Sequence, residues 1–526
     1  MEIDKINTAS RAQSIPPRIQ SAPEKPAGSP SGEQLQISSS ARREMAADQA
    51  QTELAGVPAD SASSKKTSGP TTPITLEYVI DSQGKCKKVA SRPLTEVPQM
   101  PAPKAKWTIL TYMAGDNDLE EYVTNNLVDM EKVGSSKDVY LLAQLDRGPN
   151  ATGFKGVKDA ARYLVLKDKD SKNINSPVLK ELGPTDMGKP AALKDFLAWG
   201  MKNFPAEHYL VIMNDHGGGF TGALQDATND SFMSVPQMRD ALIGAEKESG
   251  VSKDQVILGY DACLMGQAEV AYELKDTAGI LLASEEMIGG TGWPYGPILA
   301  SEKIVNRLQK LTATAEALGV CPVMKLAGLK PEDVARMIIE ECAKAPESTL
   351  TMSAIDLSKM DGLAKSFDEM GTALLGIKDS GLKEYIREDI EKSQHYTVGM
   401  ETSPYSEMRD AYDIALNIKK DKRLQDPKLT AAADKLIQSI EDCIISEEHV
   451  GEGMQNSHGI SVYSPTSKGG YDEYDYKSLA FAKDTSWDDA MMKFTGKPKP
   501  GQKPSHGYKP PVRPKNADDE KAFPVK

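Results

Sequence analysis

The chain has 526 residues, of which 39% are hydrophobic and 26% are charged, and its formal net charge is −13. This length allows two to three domains, or one large domain with appendages, and the composition is typical of a soluble globular protein. The negative charge argues against nucleic-acid binding, which depends on clustered Lys and Arg. Five scattered cysteines without a CxxC spacing argue against a zinc ribbon and a disulfide framework.

The first 105 residues lack the pattern of a folded domain. Residues 1–74 contain no aromatic side chain and are rich in Ser, Ala, Pro and Gln, which predicts a disordered leader. Residues 75–105 are predicted as a hairpin, turning at Ser82-Gln83-Gly84, and a linker. The first residues lack the apolar core of a signal peptide, and no apolar stretch is long enough to span a bilayer. We therefore expect a protein without membrane contact, either cytoplasmic or exported by a non-classical route.

Residues 106–300 alternate between strand and helix patterns. Strands are predicted at about 107, 139, 162, 209, 256 and 280, and helices within 118–133, 190–204, 235–249 and 264–276. This order predicts an α/β fold with a largely parallel central sheet covered by helices on both faces. In such folds, ligands bind at the carboxyl ends of the strands.

The remainder of the chain is predicted to be mostly helical. Residues 301–496 form a helical C-terminal region that returns a strand to the core, with strand patterns at 350–357 and 458–465. Residues 497–526 are basic and rich in proline, which predicts a flexible tail.

Two strand ends carry reactive side chains. The stretch YLVIMNDHGGGF ends in His216 followed by glycines, and VILGYDACLMG ends in Cys263, directly before a predicted helix. Each residue alone has a simple explanation, a histidine in a turn or a small buried cysteine. Together they indicate a His–Cys nucleophilic site, because both fall at the same sheet edge and a helix N-terminus favours the thiolate. Gly217 would then place its N–H beside that of Cys263 to stabilise an oxyanion.

Several motifs together resemble the clostripain family of cysteine peptidases, which is related to caspases, gingipains and legumain. They are WTILTYMAGDNDLE, NDHGGGF, GYDACLMGQAEVAYEL, ASEEMIGGTGWPY and SHGISVYSP…WDDAMMKF, and they cover about residues 106–496. The resemblance implies a caspase-like α/β/α sandwich and cleavage after basic residues. It also implies that His216 is the catalytic histidine and Cys263 the nucleophile.

The same resemblance places Asp261 in the pocket for the first substrate side chain. A carboxylate there would pair with a substrate Arg or Lys, although an aspartate capping the following helix is the alternative. Trp293 is expected to wall the substrate cleft. Family members can add a second acid from the loop after the next strand, but Gly289–Trp293 holds no carboxylate, which leaves Glu285 and Glu286 nearby.

The turn Asp116-Asn117-Asp118 has two explanations. It is either a cation site, with calcium the expected ion, or a turn that precedes a helix. The proposed chemistry itself needs no metal or cofactor. His208, His395, His449, His458 and His506 are expected to be structural or exposed.

The expected partners are protein or peptide substrates with Arg or Lys, acted on by a self-processing monomer. A catalytically silent interaction module is the alternative function.

Overall fold

The computed structural model of the chain describes residues 75–80, 86–91, 94–149, 151, 153–300, 330–346, 349–396, 407–451, 453–466 and 476–495. The predicted leader and tail, and His506, therefore lie outside the described residues. Strands β1 (Thr75–Ile80) and β2 (Cys86–Ser91) pair antiparallel, at the place where the sequence predicts a hairpin.

A nine-stranded sheet forms the centre of the described structure. The strands after β2 are β3 (Ala105–Ala114), β4 (Val139–Asp146), β5 (Ala160–Leu164), β6 (Val178–Gly183), β7 (Ala206–Asn214), β8 (Ala223–Asp226), β9 (Ser231–Met233), β10 (Val256–Asp261), β11 (Ile280–Ala283), β12 (Thr351–Asp356), β13 (Met408–Asp410), β14 (Ile444–His449) and β15 (Ser461–Tyr463). The order of strands in the sheet is β14-β12-β11-β10-β7-β3-β4-β5-β6. Its five middle strands, from β11 to β4, are parallel, and the strands added at each margin run antiparallel to their neighbours. The predicted, largely parallel sheet is thus confirmed.

Helices cover both faces of this sheet. They are α1 (Glu120–Glu131), α2 (Pro190–Asn203), α3 (Val235–Ser249), α4 (Ala268–Glu273), α5 (Tyr295–Ala300), α6 (Pro331–Cys342), α7 (Met360–Gly376), α8 (Ser380–Glu391), α9 (Ala411–Lys420), α10 (Pro427–Cys443), α11 (Ala480–Asp484) and α12 (Trp487–Thr495). Side chains of α1, α5 and α6 belong to one hydrophobic core, and those of α2, α3, α4 and α7 to the other. The arrangement is the expected α/β/α sandwich.

Strand β7 shows why the chain builds two cores. Tyr209, Val211 and Met213 belong to one core, whereas Leu210 and Ile212 belong to the other. Because successive side chains of a strand point to opposite faces, an uninterrupted apolar run is buried on both sides.

The C-terminal region extends the sheet with two strands rather than one. Strand β12 pairs antiparallel with β11, and β14 pairs antiparallel with β12. The strand predicted at 458–465 is shorter, and it pairs with β13 in a separate two-stranded sheet. Its Ser461 N–H still reaches the central domain, donating to the Gly266 carbonyl at 2.9 Å.

The helix predicted over 264–276 is much shorter in the structure. Helix α4 begins at Ala268 and has six residues. The preceding residues bond across to the chain after β11 instead: the Leu264 N–H donates to the Glu286 carbonyl and the Gly266 N–H to the Ser284 carbonyl. These long-range bonds, together with a positive φ of 65° at Leu264, replace the first turn of the predicted helix.

No helix within the described ranges combines the length and apolar character needed to cross a membrane.

Candidate active site

The candidate site lies where β7 and β10 end side by side. The two strands are parallel neighbours with Asn214 opposite Asp261. The Asp215 N–H donates to the Asp261 carbonyl at 3.3 Å, so the pairing continues beyond the strands. Two residues further along each chain are His216 and Cys263. The register therefore brings the two predicted residues to the same place at the sheet edge.

Gly217 packs directly on the backbone of Cys263. A Cβ atom at position 217 would collide with the Cys263 carbonyl oxygen and would lie 2.9 Å from the Cys263 nitrogen. Since these contacts are with backbone atoms, a side chain at this position would displace the chain around the thiol. The glycine that follows the histidine is thus explained by the close approach of two chain segments.

The thiol of Cys263 is fully buried beneath the segment that follows β11. The Ile288 N–H donates to Sγ at 3.3 Å, and the thiol donates to the Ile288 carbonyl at 3.6 Å. The prediction that a helix N-terminus favours the Cys263 thiolate is wrong, because α4 starts five residues after Cys263 and is only six residues long. The thiol therefore lies away from the N-terminus of this helix.

The imidazole of His216 is also buried, with 1% of its surface exposed. Its Nε2 atom lies 2.8 Å from Asp118 Oδ1, whereas Nδ1 has no hydrogen-bond partner within the described residues. A carboxylate can only accept, so the neutral ring carries its proton on Nε2 and leaves the Nδ1 lone pair available. The sequence analysis considered Asp118 as a cation ligand or as part of a turn before a helix, and it missed this contact.

The three residues of the turn before α1, Asp116 to Asp118, make different contacts. The side-chain amide of Asn117 donates to Asp215 Oδ1 at 2.8 Å and to the carbonyls of Ala114 and Gln225, both at 3.1 Å. Asp118 contacts the histidine, and Asp116 lines a separate cavity of about 470 Å³. Within the described residues, no group of three or more His, Cys, Asp or Glu side chains is arranged to hold a metal ion. The contacts of Asn117 show that the turn is well ordered before α1, and the calcium site stays a prediction.

Asp215 is a second carboxyl next to the histidine and, unlike Asp118, it is fully buried. Burial raises its pKa to about 6, and the charge of His216 is the largest influence that lowers it. The Asn117 amide and the Gln225 N–H both bond to its oxygens. Asp215 thereby ties the turn before α1 to the end of β7.

Asp261 is a fully buried carboxylate at the end of β10. Its Oδ2 accepts from the Asn214 amide at 2.5 Å and from the Tyr295 hydroxyl at 3.1 Å. It does not cap α4, whose N-cap is Gln267 with no side-chain capping bond. Gly292, which has a φ of 67°, packs so closely on the carboxylate that a Cβ would lie 2.5 Å from Oδ2.

Trp293 is largely a core residue. It is 1% exposed, and its ring packs on Gly259, where a Cβ would lie 2.7 Å from Trp293 Cη2. It also lines a cavity of about 380 Å³ between α1 and the 291–294 segment, which Asn126, Asp129 and Gly292 line as well. Gly292 therefore contacts both this cavity and Asp261.

The two nearby glutamates have other partners. Glu285 is fully buried and accepts from the Gly459 N–H at 3.1 Å. Its burial, reinforced by the charge of Asp410, raises its pKa well above the ordinary value. Glu286 accepts from the Met287 N–H at 2.7 Å, within its own loop. Neither contact is with Asp261.

The other described histidines have structural surroundings. His208 packs on Trp107 with ring centroids 5.0 Å apart, and His449 contacts Glu447 at 3.0 Å. His458 contacts Asp410 at 3.2 Å and stacks on the Tyr412 ring. His395 forms a backbone bridge with Arg409.

An α/β/α sandwich that presents a histidine and a cysteine at the ends of adjacent parallel strands is the arrangement of a caspase-like cysteine peptidase. The model of the clostripain family matches residues 111–494, most of the chain. The protein belongs to the clostripain family and is a cysteine peptidase, as the sequence motifs predicted.

Comparisons with individual proteins agree with this assignment. Clostripain from Hathewaya histolytica is 25% identical over 413 residues, which are 70% of this chain and 76% of that protein. A secreted C11 cysteine protease from Bacteroides thetaiotaomicron, solved with an irreversible peptide inhibitor, has a TM-score of 0.51 at 18% identity, over 74% of this chain and 99% of its own. An inactive zymogen C11 protease from Parabacteroides distasonis has a TM-score of 0.50 at 19% identity, over 73% of this chain and 99% of its own. These structures support the fold.

Proposed function

We propose that this protein is an endopeptidase that cleaves peptide bonds after Arg or Lys through His216 and Cys263. The observation that carries the proposal is the register of β7 and β10, which aligns the two residues at one sheet edge. Asp261, a buried carboxylate, ends β10 opposite Asn214, two residues before Cys263 in the sequence. A base, a nucleophile and a pocket charge thus come from two adjacent strands.

The reaction begins with proton transfer from the Cys263 thiol to Nδ1 of His216. The thiolate attacks the substrate carbonyl carbon, forming a C–S bond and moving the electron pair to the carbonyl oxygen. When the C–N bond breaks, the imidazolium gives its proton to the leaving amine. Water then attacks the thioester with His216 as base, which releases the carboxylic acid and restores the thiol. No metal or organic cofactor is required by these steps.

The oxyanion would be stabilised by the N–H groups of Gly217 and Cys263. The close packing of Gly217 on the Cys263 backbone supports this role, because it keeps the two backbone segments in contact. A carbonyl attacked by the thiolate would lie beside both residues.

Specificity for a basic side chain would come from Asp261. A buried carboxylate is costly to leave without a cation, and an arginine or lysine of the substrate supplies one. Asn214 and Tyr295 fix the orientation of the carboxylate. Trp293 and Gly292 would form the wall of the approach, since both line the adjacent cavity.

Substrate access requires movement of the segment after β11. The Ile288 backbone covers the thiol, and Gly292 covers Asp261. Both contacts belong to one stretch of chain, so its withdrawal would expose the nucleophile and the pocket together.

Hydrolysis of fluorogenic peptides tests this function. Four substrates should be compared that differ only in carrying Arg, Lys, Ala or Asp at the cleavage position. We expect kcat/KM for the Ala and Asp substrates to be at least about 30-fold lower than for the Arg and Lys substrates. Cys263→Ala should be inactive, and Cys443→Ala, which removes a buried thiol in α10, should retain activity. Absence of hydrolysis by the wild type on every substrate would favour the silent interaction module.

Self-cleavage is part of the proposal, with removal of the leader before about residue 107. Of the basic residues between the catalytic strands, Arg239 and Lys247 lie within α3, where backbone hydrogen bonding resists the extended conformation that a peptidase cleft binds. Lys253 lies in a short 3₁₀ turn. Lys106 lies inside β3, so Lys104, which is exposed just before β3, is the more accessible position.

Intact-mass measurement of purified wild type and Cys263→Ala checks the processing step. The wild type should lose its leader with time, whereas Cys263→Ala should stay full-length. A wild type that is full-length and fully active would refute the need for processing while leaving the peptidase function in place.

A further inference from the structure

The contact between Asp118 and His216 gives the site a third member. Asp118 Oδ1 lies 2.8 Å from His216 Nε2, on the side of the ring opposite to Nδ1. Nδ1 is buried without a hydrogen-bond partner in the described part of the chain. A ring held by one nitrogen, with the other unpartnered and a cysteine following the adjacent parallel strand, is arranged to exchange a proton at the second nitrogen.

The position of Asp118 is fixed by the backbone around it. The side-chain amide nitrogen of Asn117 donates hydrogen bonds to Asp215, Ala114 and Gln225. Its side-chain oxygen accepts from the Leu119 N–H at 2.9 Å. The Ala227 N–H donates to the Asp116 carbonyl at 2.7 Å. The turn therefore cannot shift Asp118 without breaking several hydrogen bonds.

We infer that Asp118 is the positioning residue of His216. This inference rests on the proposed function. Asp118 would hold the proton on Nε2, orient Nδ1 towards the thiol, and stabilise the imidazolium that forms when Cys263 loses its proton. Asp118 itself stays ionised and does not touch the substrate. Its side chain is 31% exposed, which is compatible with a permanent charge.

Three titratable groups lie near His216 in contact, in sequence or in the sheet. Asp118 contacts the ring directly, Asp215 precedes it in the chain, and Cys263 follows the neighbouring strand. Removing the negative charge of Asp118 should make the imidazolium less stable, while Asp215 remains as a buried acid.

Asp118→Asn should lower kcat for an Arg substrate by about 10²- to 10⁴-fold, because the amide no longer enforces the reactive tautomer. KM should change by less than about threefold, since the residue does not bind the substrate. Asp118→Glu should recover part of kcat because it restores the carboxylate. Asp116→Asn is the matched control: it lies in the same turn without an observed contact to His216, and its kcat should stay within about threefold of wild type.

Alkylation of Cys263 by iodoacetamide, followed by mass spectrometry across pH, gives a second readout that needs no peptide hydrolysis. In Asp118→Asn the pH at which alkylation is half-maximal should rise by about one unit, because the thiolate loses support from a stable imidazolium. If the wild type cleaves no peptide but the alkylation profile of Asp118→Asn is still shifted relative to it, the proposed function is wrong and the positioning role of Asp118 is retained. Unchanged kcat and an unchanged alkylation profile in Asp118→Asn would overturn the inference, as would equal losses in Asp116→Asn.

Discussion

The thiol of Cys263 and the backbone of Ile288 are joined by two hydrogen bonds. The Ile288 N–H donates to Sγ at 3.3 Å, and the thiol donates to the Ile288 carbonyl at 3.6 Å. In the proposed mechanism the second bond, which uses the thiol proton, would be lost when His216 removes that proton, whereas the first would persist and stabilise the thiolate. The same peptide unit therefore covers the resting nucleophile and can support its charged form.

Cys263→Ala should abolish hydrolysis while leaving the fold intact. Removing a nucleophile typically costs at least about 10³-fold in kcat, and alanine leaves the surrounding backbone unchanged. Steady-state hydrolysis of an Arg substrate and far-ultraviolet circular dichroism measure the two effects. Appreciable activity of Cys263→Ala would rule out its assignment as the nucleophile.

Alkylation should also single out Cys263 among the buried thiols. Burial raises the pKa of Cys443 to about 12 and that of Cys342 well above its ordinary value, so neither forms thiolate near neutral pH. The backbone of Ile288, in the segment after β11, contacts the Cys263 thiol, and the strand register brings Cys263 and His216 to the same sheet edge. Time-resolved iodoacetamide labelling should therefore modify Cys263 first of these three, and faster labelling of Cys342 or Cys443 would contradict the proposed pairing.

Gly217→Ala should impair catalysis more than stability. The added methyl group would collide with the Cys263 carbonyl and displace the two backbone donors, and loss of one oxyanion donor costs about 10²- to 10³-fold in kcat. Gly362→Ala is the control, because that helical glycine has open space around it and should keep full activity. Equal kcat values for Gly217→Ala and wild type would exclude the oxyanion role of Gly217.

The sequence predicted the middle of the fold well because its strands are buried on both faces. The apolar runs of β3, β7 and β10 are long and end at polar or glycine residues, so their type and order follow from local pattern. Helix α4 was predicted too long because the backbone N–H groups of Leu264 and Gly266 bond to Glu286 and Ser284, in the chain after β11. Local periodicity cannot detect such a partner.

The sequence predicted some residues of the candidate site and missed another. His216 and Cys263 were found from their strand ends, since parallel strands finish at a common edge. Asp118 carried a comparable signal, because it follows β3, the neighbour of β7 in the sheet. The turn sequence also suited a cation or a helix start, and 98 residues separate Asp118 from the histidine, so only the structure shows the contact.

Asp261→Asn should lower turnover of Arg and Lys substrates by roughly 30- to 5000-fold. The range corresponds to about 2–5 kcal/mol for removing one partner of a buried charge pair, at about 1.4 kcal/mol per tenfold change. Alkylation of Cys263 should survive, because the thiol depends on His216. Glu285→Gln is the control and should keep the preference for Arg, since that carboxyl faces Asp410 and Gly459. Retention of the Arg preference by Asp261→Asn would place the pocket charge elsewhere.

Glu269 makes the stability of the protein depend on pH. It is a fully buried carboxyl in α4 that accepts from the Tyr463 N–H at 2.9 Å and from the Tyr476 hydroxyl at 2.7 Å. Burial raises its pKa from 4.5 to about 7. Because the folded state then binds the proton more tightly than the unfolded state, the stabilising contribution is complete below pH 4.5 and is lost as the pH rises to about 7.

Glu269→Gln, which cannot ionise, should remove this pH dependence. Between pH 4.5 and about 7, the free energy of unfolding of the wild type should fall relative to that of the variant. The fall is at most roughly 3 kcal/mol, at about 1.4 kcal/mol for each unit of pKa. Urea unfolding of both proteins at several pH values measures the difference, and Glu121→Gln, at an exposed position of α1, should follow the wild type. A constant difference between wild type and Glu269→Gln across this range would show that Glu269 titrates normally in the folded protein.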